Sequence, residues 1–102
     1  YSSAALEASA VVGTTHLTVD EIICTNTSAG VLYLHIFDTG TLPANGTAPD
    51  ICIAIPATGT VGYDPEGAKL TFGSGLSLCL SSTAATKTLA TGVGVFNVRG
   101  RS

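Results

Sequence analysis

Two short stretches constrain this chain more than any other feature: DICIAI at residues 50–55, closed by Pro56, and LSLCLS at residues 76–81. In the first, Ile51, Ile53 and Ile55 alternate with Cys52 and Ala54. In the second, Leu76, Leu78 and Leu80 alternate with Ser77, Cys79 and Ser81. A period of two puts each aliphatic set on one face of a strand; on a helix the same residues would scatter around the axis. Pro56 cannot continue a central ladder and ends the first run. Two aliphatic stripes of equal length are natural partners on the inner face of a layered β structure.

The rest of the chain follows the same grammar. Helical periodicity is nearly absent, and strands are expected at residues 17–26, 30–38, 60–63, 70–72 and 92–99, with an N-terminal one near 4–8. In the first, Ile22 and Cys24 face opposite to Ile23 and Thr25. In 30–38, Leu32, Leu34 and Ile36 form one face and Val31, Tyr33, His35 and Phe37 the other. Both are largely apolar, which implies a central strand or a covered outer face. Residues 82–91, rich in Thr and Ala, read as a loop or a short edge. About seven strands with Gly, Pro, Asn, Asp and Ser turns predict an all-β fold: a single antiparallel β-sandwich over residues 1–102, jelly-roll or immunoglobulin-like, with extended terminal arms.

Composition narrows the function classes. A chain of 102 residues buries roughly 60–65% of its unfolded surface, enough for one modest core. Charged residues make up 11%, against about 25% in an average soluble domain. Thr, Ser, Gly and Ala take their place, giving a neutral surface that is easily desolvated against other protein. The net charge is −3 and the four bases are Lys69, Lys87, Arg99 and Arg101. They make no basic stripe, so no nucleic-acid partner is expected. The apolar runs are too short to span a bilayer, so no membrane partner is expected either. Tyr1 is not Met, which leaves open a targeting segment ahead of it.

Three cysteines, Cys24, Cys52 and Cys79, cannot close an intrachain framework, and no C-x-x-C is present for structural zinc. They read as buried or half-buried thiols, or as one disulfide plus a free thiol, or as an intersubunit bridge. Cys52 and Cys79 lie opposite the aliphatic stripes, so both should be accessible unless an assembly covers them. His16 with Asp20, and His35 with Asp38, lack a third metal ligand at a fixed spacing. No metal and no cofactor are expected. The serine segments SGLS and SAGV lack the nucleophile-elbow pattern, and TFGSGLSL has the glycines of a phosphate loop but leads into a strand. The chain is therefore expected not to be an enzyme. Asn26-Thr27-Ser28 and Asn45-Gly46-Thr47 match the glycosylation sequon, which matters only in a protein secreted from a eukaryote.

The order of segments carries a resemblance. TNTS at Thr25–Ser28, the aromatic-rich strand Tyr33–Asp38, the P-x-x-G-T-x-x-P type of loop at Pro43–Pro49, the IPA-x-G-T end at Ile55–Thr60 and the L-x-F…GL-x-L run at Leu70–Ser81 resemble a group of small tailed-phage virion proteins. The tail GVGVFNVRG looks like the closing strand of that group. The resemblance covers roughly residues 17 to 99. His35 stands where the group's aromatic strand has Lys, and the cysteines are additional. It implies a β-sandwich that assembles on a capsid or tail, and it assigns no catalytic residue.

On this reading the long polar arc at residues 39–50 is a contact arm, stiffened by Pro43 and Pro49. The interface candidates are Thr39, Leu42, Pro43, Asn45 and Pro49 in the arc, with Tyr1, Leu6, Arg99 and Arg101 on terminal arms that reach neighbours. The expected role is a non-enzymatic capsid decoration or cement protein located in the virion. Its partners would be the major capsid protein or other virion proteins, and it would be a homo-oligomer. The alternatives are a tail, neck or head-fibre component, or a receptor-binding module.

Overall fold

In the computed structural model, which describes residues 1–3, 5–63, 70–90, 92 and 94–101, period-two alternation becomes eight strands. They are β1 (Ser9–Gly13), β2 (Leu17–Asn26), β3 (Leu32–Phe37), β4 (Ile51–Ile55), β5 (Thr60–Tyr63), β6 (Leu70–Phe72), β7 (Leu76–Ser81) and β8 (Gly94–Arg101). Two antiparallel sheets pack as a β-sandwich. One has the order β1-β7-β3-β4. In the other, β2 is central, with β8 along one side and β5 and β6 end to end along the other. β1 and β2 lie in different sheets, unlike the immunoglobulin order, in which the second strand lies beside the first.

The two aliphatic stripes both point inward, but they do not face each other. β4 and β7 flank β3 in the same sheet, so Leu34 has Ile53 on one side and Leu80 on the other. The opposing layer is Val19, Ile22 and Cys24 of β2, Phe72 of β6, and Phe96 and Val98 of β8, all buried. On β2 the inward positions switch from odd to even between Val19 and Ile22. A register shift at 19–21 supplies the extra residue that moves the apolar set back to the core face.

Asn26, at the end of β2, ties the sheets together at one corner. Its amide Nδ2 donates to the carbonyls of Gly30, Ile55 and Pro56, at 2.9, 3.3 and 3.3 Å. Its Oδ1 accepts the Ser28 backbone N–H at 2.9 Å and the Ser28 hydroxyl at 2.7 Å. A fully buried amide with every polar atom engaged gives the TNTS segment a structural reason, and a buried Asn26 is closed to glycosylation.

The N-terminal strand lies at 9–13, not 4–8, and the N-terminal residues are strapped down, not free. Tyr1 and Val98 exchange backbone hydrogen bonds in both directions, the Ser3 N–H donates to the Phe96 carbonyl, and Glu7 pairs with Gly94 in both directions. Residues 1–3 and 5–7 thus cover the outer edge of β8 before the chain crosses to become the β1 edge. At the other terminus, Arg99 and Arg101 lie within the β8 ladder opposite Glu21 and Thr18. Ser102 lies outside the described residues, as do Ala4 of the expected first strand and residues 91 and 93 near the last one.

Candidate functional site

Chemistry-bearing side chains gather on the outer face of the β1-β7-β3-β4 sheet. The register sets Ser9, Cys79, His35 and Cys52 side by side across four adjacent strands. Phe37 and Ser77 form the next row, and the His35 and Phe37 rings meet edge-on at 6.0 Å. Cys79, His35, Ser77 and Ser81 are fully inaccessible and Phe37 nearly so, although all five are on the side away from the core.

The chain's own loops cover them. The arc at 39–50 is rooted where Asp38 accepts the backbone N–H groups of Gly73 and Ser74, and where the Ser77 hydroxyl donates to the Thr39 carbonyl. From there it folds back and pairs with the 82–89 loop. Gly46 donates its N–H to the Lys87 carbonyl, and Lys87 donates its N–H to Thr47, both at 2.7 Å. Asn45 Oδ1 accepts the Lys87 ammonium at 2.8 Å and the Leu89 N–H at 3.2 Å. Below, the Ser81 hydroxyl donates to the Thr83 carbonyl and accepts the Thr83 and Thr88 N–H groups. The two loops make one lid. Lys87, only 4% exposed, threads its ammonium through it to Asn45.

This corrects the expectation for Cys79, which is buried without any assembly. Cys52, on the edge strand β4, is exposed as expected, and all three cysteines are free thiols. Burial pushes the Cys24 thiol, in the core, up to about 12 and the Cys79 thiol up to about 11, the latter against an opposing pull from Lys87. Burial lowers His35 below its ordinary 6.5. Lys87 adds to that, while the backbone of Thr83 and Ala84 pulls the other way without closing a hydrogen bond to either ring nitrogen. A Cys–His nucleophile needs a lowered thiol pKa and an imidazole ready to take its proton. Here both groups are held neutral, as in an apolar layer. Nor do the two thiols flanking His35 converge: two strand spacings separate them by about 9–10 Å, too far to close on one ion. Among the described residues no three His, Cys, Asp or Glu side chains are placed to hold a metal.

The nine predicted interface residues fall in two separate places. Thr39, Leu42, Pro43 and Pro49 are half-buried in the lid, and Asn45, though exposed, is its clamp. Tyr1 and Leu6 are exposed on the N-terminal strap, where the Tyr1 hydroxyl donates to the Glu7 carboxylate. Arg99 of β8 lies 3.6 Å from Glu21 of β2, and the Arg101 backbone pairs with Thr18. Sequence reasoning missed Lys87 as a buried clamp; its one signal was a lone cation in a neutral run. Val11 and Leu89, both exposed, were missed as well. They share the outer face beside β7, opposite Ser77 and Ser81.

The edges differ. The strap closes the outer edge of β8, whereas β4 has no strand partner beyond β3 among the described residues. Set against known proteins, the chain matches no protein family, no curated protein and no solved structure.

Proposed function

We propose that this chain is a non-enzymatic structural protein of a phage virion, a decoration or cement protein that docks in many copies on the capsid shell. The observation that carries the reading is the lid. Residues 39–49 contain no charged side chain, yet they are fixed to the sheet by backbone pairing and the Asn45–Lys87 clamp. Thr41, Ala44, Thr47 and Ala48 face solvent on it. Such a surface is cheap to desolvate and already ordered, so docking loses little further entropy. Repeated over a symmetric shell, many weak contacts of this kind add up through avidity. The resemblance of the TNTS, IPA-x-G-T and L-x-F…GL-x-L segments to small virion proteins supports the same assignment. The partner on this reading is the major capsid protein.

The test is copy number. The particle that carries the chain is purified and the chain quantified by mass spectrometry against the major shell protein. A ratio within a few-fold of the shell protein is expected. A few copies per particle would move the chain to the neck, tail or fibre, and absence from any particle would overturn the virion assignment.

A further inference from the structure

We infer that β4 is a self-association edge: two copies of this chain pair antiparallel through Ile51–Ile55, centred on Ile53, joining their β1-β7-β3-β4 sheets into one.

The first ground is the direction of the backbone groups. The Asp50 N–H donates to Ile36 on β3. N–H and C=O groups alternate sides along a strand. Leu80 donates its N–H to Ala8 on the β1 side, so Ser77, Cys79 and Ser81 turn theirs to β3, Leu32, Leu34 and Ile36 turn theirs to β4, and Ile51, Ile53 and Ile55 turn theirs to β3, which leaves those of Cys52 and Ala54 pointing away. The Ile36 carbonyl fits this alternation, since it accepts from the β4 side. Among the described residues, the free edge of β4 therefore offers Cys52 and Ala54, each with its N–H and C=O. A two-fold axis at Ile53 brings Ile53 onto its copy and Ile51 onto Ile55. The same axis brings Cys52 onto Ala54 of the copy and Ala54 onto its Cys52, and these are the pairs that exchange both hydrogen bonds in an antiparallel ladder.

The second ground is the sequence. ICIAI reads almost the same in both directions, so this register sets isoleucine against isoleucine on the inner face. On the outer face it sets Cys52 against Ala54. Asp50 falls opposite Pro56 of the copy and no like charges meet. Any shift to the next allowed register shortens the overlap.

The third ground is the absence of protection where proteins ordinarily supply it. Exposed edges are blunted by an inward charge, a Lys, a Pro or a bulge. β4 has none of these within its five residues, and Ile51 and Ile53 stay half-exposed. The β8 edge, by contrast, is covered by the chain's own first residues. A five-residue ladder is short, so the dimer belongs to the weaker class of interfaces and its population depends on concentration.

This inference goes beyond the virion assignment and stands whether or not the chain sits on a shell. Its test uses the isolated, fully reduced chain in sedimentation velocity from micromolar to near-millimolar concentration. A reversible monomer–dimer equilibrium is expected. Cys52 and Ala54 are exposed and point outward, so the variant C52K/A54K keeps the fold, checked by circular dichroism. It sets Lys against Lys twice across the axis and weakens the dimer at least tenfold. The variant C52E/A54K sets Glu against Lys twice and restores it. A wild-type chain that stays monomeric, a C52K/A54K chain that dimerises like wild type, or a C52E/A54K chain as weak as C52K/A54K would each overturn the inference.

Discussion

Cys79 reports whether the lid is a separable unit. Its thiol is fully covered, so a labelling reagent reaches it only when the arc and the 82–89 loop part. Four hydrogen bonds hold them: two backbone bonds through Lys87, the Lys87 ammonium to Asn45, and the Leu89 N–H to Asn45. At about 1 kcal/mol net for each, opening costs about 4 kcal/mol, so Cys79 should react about 1,000-fold more slowly than exposed Cys52. Asn45→Ala removes two of the four, one of them charge-assisted. Opening becomes easier by about 2 kcal/mol, and labelling of Cys79 accelerates about 30-fold. The assay is time-resolved labelling with a small maleimide, read site by site by mass spectrometry. Cys24 is the internal control. It lies in the core between the sheets and is reached only by global unfolding. If Asn45→Ala accelerates Cys79 and leaves Cys24 nearly unchanged, the lid opens locally. If the two accelerate together, or if Cys79 of the wild type reacts as fast as Cys52, the lid argument is refuted.

Asn26→Asp replaces the amide donor with oxygens that face three carbonyls. Urea unfolding should show a loss of about 3 kcal/mol at neutral pH, partly recovered in acid, where the carboxyl regains a proton to donate. His35 is held below its ordinary 6.5, so the unfolded chain binds its proton first. Its contribution to stability is therefore complete above about pH 6.5 and is lost as the pH falls toward the folded value. His35→Leu, which also removes two unpartnered ring nitrogens, should flatten that slope in pH-dependent unfolding. The other titratable side chains facing His35 on this side of the sheet are Tyr33, Cys52, Cys79 and Lys87. Gly75→Ala should cost more than about 3 kcal/mol in the same unfolding assay. Gly75 has φ +129°, and a Cβ there would meet the Gly13 carbonyl oxygen at 2.5 Å and the Gly40 Cα at 2.9 Å, both backbone.

What was legible in the sequence is what periodicity encodes. The runs at 17–26, 60–63, 70–72 and 76–81 appear as strands with those bounds, because one face of each alternates against the core. The two apolar faces of 30–38 implied a central strand or a covered outer face, and β3 is central and covered. What covers it was not legible. The lid is Thr, Ala, Gly, Pro and Asn held by backbone bonds, and such bonds leave no side-chain period. Cys79 shows the cost: alternation places it outside the core, and only the loop at 82–89 decides that it is buried. The strap at 1–7 went unread for the same reason. It is held mainly through backbone pairing, with Ser2 to Asn97 and Phe96 to the Ser3 hydroxyl as its side-chain contacts to β8.

The lid also changes what the low charge content means. A neutral chain with a half-apolar strand such as β3 suggests a face left for a partner to cover, with the His35 side as that face. The chain covers the His35 side by itself, so on the proposed assignment a partner would meet the lid's own Thr and Ala exterior and the edge of β4. These two surfaces have different geometry. The edge has one backbone register and suits an identical copy. The lid exterior has no free strand, and residues 39–49 carry no charge, so it contributes through area and fit. A chain that dimerises through β4 would present two lids on the joined sheet's outer face, related by the same two-fold axis. Two such surfaces held rigidly together bind a repeating lattice more tightly than one, by the effective concentration the dimer imposes. The C52K/A54K variant therefore carries a second consequence. If the lid is the docking surface, monomerisation should lower the chain's occupancy on its particle while leaving every lid residue unchanged. If occupancy holds as the dimer is lost, the two surfaces act independently.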